Sequence, residues 1–499
     1  MPLRVAFLAA ECEPWAKTGG LADVVDALAR ALGTVAGGDL ETPVDVFLPR
    51  YRGVVIPPER VIGERTIRVA DPRAGAGARP DVRIVDVAAN GYRLRLVDHP
   101  AAFDRDGGYY GDASGDFPDN AWRFGLFCRA ALEVLRVEGR PPDVLHLHDW
   151  HAAPAVRYGD GGAAGPAVLL TVHNLAYHGW TPRDQVAGLG LEWDAAVPPE
   201  APGVDLLHTA IDRADLVNTV SPGFALEALL PAFGMGLDQA LRARGDRFIG
   251  ILNGLDTDLW DPATDAVIAA TYSRADQSGK AACRADLLVR LGMDPADDGP
   301  VLGMIGRLDP QKGFDLLAEA APALIDDGIR LVVQGSGPAE LVDGLRGLAD
   351  ARPDRVALIE RFDREMARRI YAGTDGFLMP SRFEPCGTGQ MISLRYGTPP
   401  IVHATGGLAD TVTDEPDNPG AGTGFVFHDA TAEALRGACA AFATRFRTGG
   451  PEWHGLLDRG MAVDFDWRTA SGPAYVAAYQ RAVALRRSGP VPGAGRGYS

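Results

Sequence analysis

Short runs of apolar residues recur along the chain, and each is followed by a loop and a helical pattern. The runs are rich in Val, Ile and Leu and are continuous rather than alternating, which is typical of strands buried on both faces of a parallel sheet. The expected strands are LRVAFLAA, VDVFLPR, DVLHLH, AVLLTVHN and DLVNTVS, then PVLGMIGRL, IRLVVQG, RVALIERF, DGFLMPS and PPIVHA. Strands that alternate with helices predict an α/β, doubly wound fold.

The strands fall into two sets and predict two facing Rossmann-like domains. We expect the first domain over residues 1–255, a connecting segment over 256–297 and the second domain over 298–455. A C-terminal helix within 456–488 is expected to pack across the interface, and the Gly- and Pro-rich residues 489–499 are expected to be a disordered tail. Ligands of such sheets bind at the carboxyl ends of the strands, so the substrate is expected in a deep interdomain cleft.

The composition of the chain limits its possible binding partners and its possible cellular location. The 499 residues carry a formal net charge of -17, which argues against nucleic-acid binding because that requires a basic face. No apolar window approaches the ~18 residues of a membrane span, and the first apolar run is short for a signal peptide. Five cysteines without a CxxC pair predict neither disulfides nor zinc, so we expect a cytoplasmic protein.

Two octapeptides are almost identical: TGGLADVV begins at Thr18 and TGGLADTV begins at Thr405. Each follows a predicted strand and starts a predicted helix. Paired glycines allow close approach to a ligand, and the first N–H groups of a helix bind anions. The alternative is that two unrelated turns resemble each other. Only three of the 49 basic residues are lysines, and Lys17 directly precedes the first copy.

Two cations and a carboxylate follow strands of the second set. Arg307 and Lys312 lie five residues apart after a strand, which suits the neutralisation of a diphosphate leaving group, although two solvated surface charges remain the alternative. No Walker loop is present. Glu384 in FEPCG follows another strand and suits hydrogen bonds to sugar hydroxyls. We interpret the neighbouring Cys386 as a packing residue rather than a nucleophile.

A group of histidines surrounds Asp149 in the first set. They are His146, His148, His151, His173 and His178. This spacing could ligate a metal ion. We favour contacts from Asp149 and His173 to sugar hydroxyls, because Lys17, Arg307 and Lys312 already supply the positive charge that a phosphate needs.

Seven motifs together resemble the family of bacterial glycogen synthases and plant starch synthases. They are KTGGLADV, HDWHA, TVHNLAY, ILNGLD, GRLDPQKGFDL, SRFEPCG and TGGLADTV, and they cover nearly the whole chain in the family's order. The resemblance implies the GT-B fold and a hexosyltransferase that moves glucose from ADP-glucose to the non-reducing end of an α-1,4-glucan with retention. It implies no metal and no cofactor, since ADP-glucose is the donor substrate, and it places the reaction in glycogen biosynthesis.

The resemblance also implies roles for individual residues. Arg307 and Lys312 would hold the diphosphate, Glu384 would bind glucose hydroxyls, and Asp149 and His173 would hold the glucose near its reacting carbon. The remaining substrate-binding residues that it implies are Lys17, Gly19, Gly20, Asp23, Asn253, Cys386, Gly387, Thr388, Gly406 and Gly407.

The chain departs from the family pattern after EPCG, where it reads TGQMISLRYG. Gly389 stands at the family's phosphate-contacting Thr, with Thr388 one place earlier. Ile392 stands at the usual Tyr, and also where other retaining GT-B enzymes carry a second Glu. Two alternative functions stay open: a synthase with a small acceptor such as glucose 1-phosphate, and a non-catalytic glucan-binding or regulatory protein.

Overall fold

The computed structural model describes residues 2–34, 38–75, 77–158 and 165–489. It divides into two compact units. The first comprises residues 1–220, 225–254 and 467–499, and the second comprises residues 221–224 and 255–466. The predicted tail, 489–499, lies outside the described residues except for Gly489.

The first unit is built on a large sheet, and all five strands predicted for this unit are present. The strands are β1 Val5–Leu8, β2 Val44–Pro49, β3 Val61–Arg68, β4 Asp81–Ala88, β5 Tyr92–Asp98, β6 Gly111–Asp112, β7 Gly115–Asp116, β8 Val144–His148, β9 Ala167–Val172, β10 Trp180–Pro182, β11 Gly203–Asp205, β12 Leu216–Thr219 and β13 Phe248–Gly250. Within the described residues, nine of them form one sheet in the order β13-β12-β9-β8-β1-β2-β5-β4-β3. The pairs β6–β7 and β10–β11 form two small separate sheets.

One edge of the large sheet is not parallel. Strand β4 runs antiparallel to β5, and β3 runs antiparallel to β4. Exposed residues recur at every second position of β3, so one face of this edge is in contact with water and needs no covering helix. This alternating pattern differs from the continuous apolar runs that predicted the other strands.

Helices connect and cover these strands. Up to residue 244 they are α1 Gly20–Leu32, α2 Pro100–Phe103, α3 Asn120–Val137, α4 Asp149–Ala152, α5 Ala155–Tyr158, α6 Arg183–Val186, α7 Leu191–Asp194, α8 Leu206–Arg213, α9 Pro222–Glu227 and α10 Asp238–Arg244. Helix α1 buries Leu21, Val25 and Leu28 on one side, as expected for an amphipathic helix on a sheet. It begins directly at the first glycine pair.

The second unit has an entirely parallel sheet. Its strands are β14 Val301–Ile305, β15 Arg330–Gln334, β16 Val356–Ile359, β17 Gly376–Met379, β18 Pro400–His403 and β19 Phe425–Phe427. Their order is β16-β15-β14-β17-β18-β19. The strand order reverses between β14 and β17, which is where doubly wound sheets bind ligands. The five strands predicted for this unit are all confirmed, and the two units together confirm the predicted fold class.

The helices of the second unit are α11 Gly279–Arg290, α12 Phe314–Asp326, α13 Ala339–Ala351, α14 Arg364–Gly373, α15 Gly389–Arg395, α16 Gly406–Thr411, α17 Ala432–Thr448 and α18 Gly450–Ala462. The last helix, α19 Gly472–Arg487, belongs to the first unit, where Tyr475 and Tyr479 are buried. Among the helices described, none is long and apolar enough to cross a membrane.

Candidate active site

Three loops meet at the carboxyl edge of the second unit's sheet. Strands β14, β17 and β18 are neighbours, so the loops that follow them are neighbours as well. These loops carry Arg307 and Lys312, then Glu384, and then the second glycine pair. The sequence predicted each residue after a strand end, and the strand order is what brings the three loops of this unit together.

An ion pair joins the first two loops. Nζ of Lys312 lies 2.6 Å from Oε2 of Glu384, and the Ser381 hydroxyl donates to the same oxygen at 3.1 Å. Glu384 is buried, whereas the Arg307 side chain is 73% exposed beside Asp309 and Gln311. Arg307 is therefore accessible to an anion, while Lys312 is held against the carboxylate.

Three glycines allow backbones to approach one another around Glu384. A Cβ at Gly313 would lie 2.1 Å from the Pro380 carbonyl oxygen, and one at Gly406 would lie 2.2 Å from that of Glu384. A Cβ at Gly407 would lie 2.1 Å from the Cys386 carbonyl oxygen. Gly313 and Gly406 also have positive φ, of 75° and 43°. The second glycine pair is thus required by the protein's own packing.

Gln390 holds the turn that contains Cys386, Gly387 and Thr388. Its side-chain amide donates to the carbonyl oxygens of Cys386 at 3.0 Å and Gly387 at 3.1 Å. Gly387 has a φ of 73°, which favours glycine, and Thr388 precedes α15. Cys386 is buried in this turn, in agreement with its interpretation as a packing residue.

In the first unit, the buried carboxylate of Glu11 organises the first glycine loop. It accepts the backbone N–H groups of Thr18 at 2.6 Å and Gly19 at 3.1 Å. The hydroxyls of Thr18 and Tyr110 each donate to its other oxygen at 2.6 Å. Glu11 was not identified in the sequence analysis, although its position between a predicted strand and a glycine loop can be recognised from the sequence.

The first glycine pair is surrounded by open space. A Cβ at Gly19 or Gly20 would meet no heavy atom within 4 Å, and neither residue has positive φ. Packing within the unit therefore does not require glycine here. Lys17 lies beside them, and its Nζ contacts Asp23 at 2.5 Å and Glu13 at 3.4 Å.

Asp149 and His173 are in direct contact. The backbone N–H of His173 donates to Oδ1 of Asp149 at 2.7 Å, and Asp149 has a φ of 56°, which is unusual for a residue other than glycine. Burial raises the pKa of Asp149 to about 7, opposed by hydrogen bonds from the backbone N–H groups of His173 and Asn174. Burial lowers the pKa of His173 to about 3, so its ring is neutral near pH 7.

Two further buried histidines, His148 and His146, lie behind His173. Nε2 of His173 lies 3.0 Å from Nδ1 of His148, whose Nε2 is buried without a partner in the described chain. The His146 ring packs against the His148 ring at a tilt of 35°, and His146 is bound by Thr171 at 2.6 Å and Tyr479 at 2.9 Å. Because the Thr171 hydroxyl donates to Asn218, its oxygen accepts from Nε2 of His146, and Nδ1 of His146 accepts from Tyr479.

Asn253 follows the last strand of the first unit. Its backbone N–H donates to the Val220 carbonyl at 3.2 Å, while its side-chain Oδ1 is buried and has no partner within the described residues. His151 has a similarly unpartnered Nδ1. No set of three or more His, Cys, Asp or Glu residues in the described part of the chain has the arrangement of a metal site.

Comparisons with known proteins agree with this geometry. Residues 4–243 match the family described as starch synthase catalytic domain, and residues 299–444 match glycosyl transferases group 1. A glycogen synthase of Anaeromyxobacter sp. (strain Fw109-5) is 41% identical over 491 residues, which cover 96% of this chain and 99% of that protein. The chain belongs to the glycogen synthase family. It is a glucosyltransferase that transfers glucose to α-1,4-glucan.

Further relatives of this glucosyltransferase agree. The glycogen synthase of Halorhodospira halophila (strain DSM 244 / SL1) is 40% identical and covers 97% of this chain and 100% of that protein. The catalytic domain of starch synthase IV from Arabidopsis thaliana, solved with ADP and acarbose, superposes with a TM-score of 0.84 at 32% identity, over 97% of this chain and 100% of that chain. Sucrose-phosphate synthase from Thermosynechococcus elongatus shares the fold, with a TM-score of 0.59 at 19% identity, over 97% of this chain and 99% of that chain.

Two positions where the glucosyltransferase departs from the family pattern lie on α15. A Cβ at Gly389 would approach the Met379 sulfur and the Phe377 ring to 3.1 Å, so this site has little room for the Thr of the pattern. Ile392 is buried on α15. Besides Glu11, sequence reasoning missed Ser381 and Gln390, because their importance depends on which carbonyl or carboxylate lies opposite them.

Replacing a glycine by alanine should have little effect on stability in the first glycine pair and a large destabilising effect in the second. Gly20→Ala adds a methyl group in open space and should change the free energy of unfolding by less than about 1 kcal/mol. Gly407→Ala forces a methyl group against the Cys386 carbonyl and should cost about 2 kcal/mol or more, read as a lower Tm. Gly437→Ala, a helical site with no neighbour within 4 Å, is the control for the second unit. Equal Tm values for Gly407→Ala and Gly437→Ala would contradict the packing role.

The raised pKa of Asp149 predicts a pH-dependent stability. The folded carboxyl binds its proton more tightly than the unfolded one, so its contribution to stability falls as pH rises from 3.8 to about 7. Asp149→Asn removes this dependence. The dependence amounts to about 1.4 kcal/mol of unfolding free energy for each unit by which the folded pKa is raised. The stability of the variant relative to the parent should therefore rise across this window and stay level above it. Denaturant titrations between pH 4 and 8 measure this, and a flat difference would disprove the raised pKa.

Proposed function

We propose that the chain transfers glucose from ADP-glucose to the non-reducing end of an α-1,4-glucan with retention of configuration at the anomeric carbon. One observation carries the site assignment: exposed Arg307 and the Lys312–Glu384 pair lie on neighbouring loops at the carboxyl edge of one parallel sheet. Cations at this edge stabilise negative charge, and a buried carboxylate accepts hydroxyl hydrogen bonds.

The proposed chemistry uses these charges on the leaving group. The bond between glucose C1 and the terminal phosphate oxygen of ADP breaks, and C1 forms a bond to O4 of the terminal glucose of the acceptor. ADP departs with the electron pair of the broken bond, and its phosphate oxygen takes up the proton that O4 loses. Arg307 and Lys312 stabilise the charge that develops on the diphosphate, while Glu384 accepts hydrogen bonds from glucose hydroxyls.

Residues of the second unit's turn complete its proposed binding surface. Gly387 and Thr388 line the same turn as Cys386, and Gln390 fixes the carbonyl directions of that turn. Gly406 and Gly407 allow their own loop to lie against the Glu384–Cys386 backbone. In this way their loop bounds the proposed donor site on one side.

In the first unit we assign Lys17, Gly19 and Gly20 to the sugar nucleotide. The open space over the two glycines supports this assignment, because nothing in the described chain requires the absence of a side chain there. Asp23 pairs with Lys17 and orients its ammonium group. Lys17 carries a positive charge, and an anionic ligand would replace Glu13 and Asp23 as the partner of its ammonium group.

We further assign Asp149 and His173 to the transferred glucose, and Asn253 to a substrate hydrogen bond. The neutral ring of His173 is able to donate or accept a hydrogen bond without adding charge. The unpartnered Oδ1 of Asn253 supports its role, because buried polar atoms rarely lack a partner. We also propose a cytoplasmic location, since the five cysteines all lie in the described part of the chain and none forms a disulfide.

The defining experiment compares ADP-glucose and UDP-glucose as donors to glycogen, with glucose 1-phosphate as a competing acceptor. Incorporation of labelled glucose into the polymer from ADP-glucose is the expected result. Transfer confined to glucose 1-phosphate would instead establish a small-acceptor synthase. Absence of transfer from both donors would overturn the proposal.

Substitutions in the ion pair test the assigned site. Lys312→Ala and Glu384→Ala should each lower kcat by about 10² or more, because each removes a group proposed to contact the donor. Arg436→Ala, which removes an exposed cation paired with Asp327 in the same unit, is the control and should leave kcat unchanged. Activity of Glu384→Ala within tenfold of the parent would refute the assignment.

A further inference from the structure

Two aromatic side chains of the first unit are exposed close to the proposed glucose site in sequence. Tyr177 is 65% exposed and Trp180 is 56% exposed. Large aromatic side chains contribute substantial free energy when buried, so a ligand that covers these rings would gain that free energy. Neither residue belongs to the site described above.

The exposed indole is held in place rather than mobile on the surface. Trp180 pairs with Asp205 in the β10–β11 ladder. A Cβ at Gly203 would lie 2.8 Å from Cζ2 of Trp180 and 3.1 Å from Cε2, so the ring rests against the Gly203 backbone. The ring is able to lie there because Gly203 has no side chain.

A hydrogen-bonded pair fixes the segment before the indole. Nδ1 of His178 donates to the Asp205 carboxylate at 2.6 Å, and the His178 carbonyl accepts the backbone N–H of Leu207 at 3.0 Å. The bond to Asp205 raises the pKa of His178. Side chains 177 and 180 therefore flank a residue that is hydrogen-bonded to Asp205 and Leu207.

The segment is also continuous with the proposed glucose site. A Cβ at Gly179 would lie 2.4 Å from Cε3 of Trp150, so the backbone lies directly on the indole that follows Asp149. The loop begins at His173, whose N–H is bound to Asp149. Contacts within one unit thus join the exposed aromatics to the residues assigned to the sugar.

We propose that Tyr177 and Trp180 form a platform that binds the α-1,4-glucan chain. The apolar C–H faces of glucose stack on aromatic rings, and a neutral polymer suits a chain with a net charge of -17 that would repel polyanions. This inference rests on the proposed function, because it assigns the platform to the same polymeric substrate. Binding additional glucose units away from the reacting end raises the effective concentration of the acceptor end.

The test uses Trp180→Ala in the full-length protein. Equilibrium binding to glycogen without donor should weaken about fivefold, equivalent to about 1 kcal/mol. In transfer assays the loss should appear in KM for glycogen rather than in kcat. Trp180→Phe should recover most of the affinity because it keeps an aromatic face, and Tyr177→Ala should weaken binding in the same direction. Leu191→Ala, which shortens an apolar side chain that is 82% exposed in the same unit, is the matched control.

Three results would overturn the platform. One is glycogen binding by Trp180→Ala within twofold of the parent. Another is equal weakening by Leu191→Ala, which would indicate a general effect of surface truncation. A third is a changed oligomeric state in light scattering with unchanged glycogen binding, which would make the patch a protein interface. Because binding is measured without donor, it tests the platform even if the parent fails to use ADP-glucose.

Discussion

The close approach of three backbone segments around Glu384 holds the second unit's site together. Gly313 lies against Pro380, and Gly406 and Gly407 lie against Glu384 and Cys386, each at a distance that excludes any side chain. These contacts bring the loops after β14, β17 and β18 into register. The Lys312–Glu384 ion pair and the Ser381 hydrogen bond then form across loops whose separation is already set. A change in one loop is therefore transmitted to the others.

The two TGGLAD segments have the same residues, but their glycines have different structural roles. In the second copy the glycines fit against neighbouring carbonyl groups, and one of them needs a positive φ. In the first copy the glycines face open space, and Glu11 holds the loop through backbone N–H groups at Thr18 and Gly19. The sequence indicated a ligand-facing role for both. That role stays a prediction for both pairs, and the structure shows that packing within the unit requires glycine in the second pair and does not require it in the first.

Buried polar groups in the first unit form an ordered support behind Asp149 and His173. The fixed tautomer of His146 follows from its bonds to Thr171 and Tyr479, and Tyr479 comes from α19 at the far end of the chain. Burial lowers the pKa of His146 and His148 and keeps both rings neutral, so the support places no charge beside Asp149 and His173. Within the histidine cluster, His148 contacts His173, while His146 is bound by Thr171 and Tyr479 and His178 by Asp205.

The sequence alone determined the fold class, the ten principal strands and the family, because continuous apolar runs and strand-end motifs are local signals. It also predicted that Arg307, Lys312 and Glu384 follow strand ends, and the structure brings these residues together on neighbouring loops. It did not reveal the antiparallel edge of β3 and β4, since an alternating half-exposed pattern lacks the continuous run. The roles of Glu11, Ser381 and Gln390, and the difference between the two glycine pairs, were decided by tertiary structure alone. The glycine difference depends on which distant backbone lies within a few ångströms, and strand order sets that proximity. The contacts of Glu11, Ser381 and Gln390 lie mostly within their own loops, and they depend on how each loop folds.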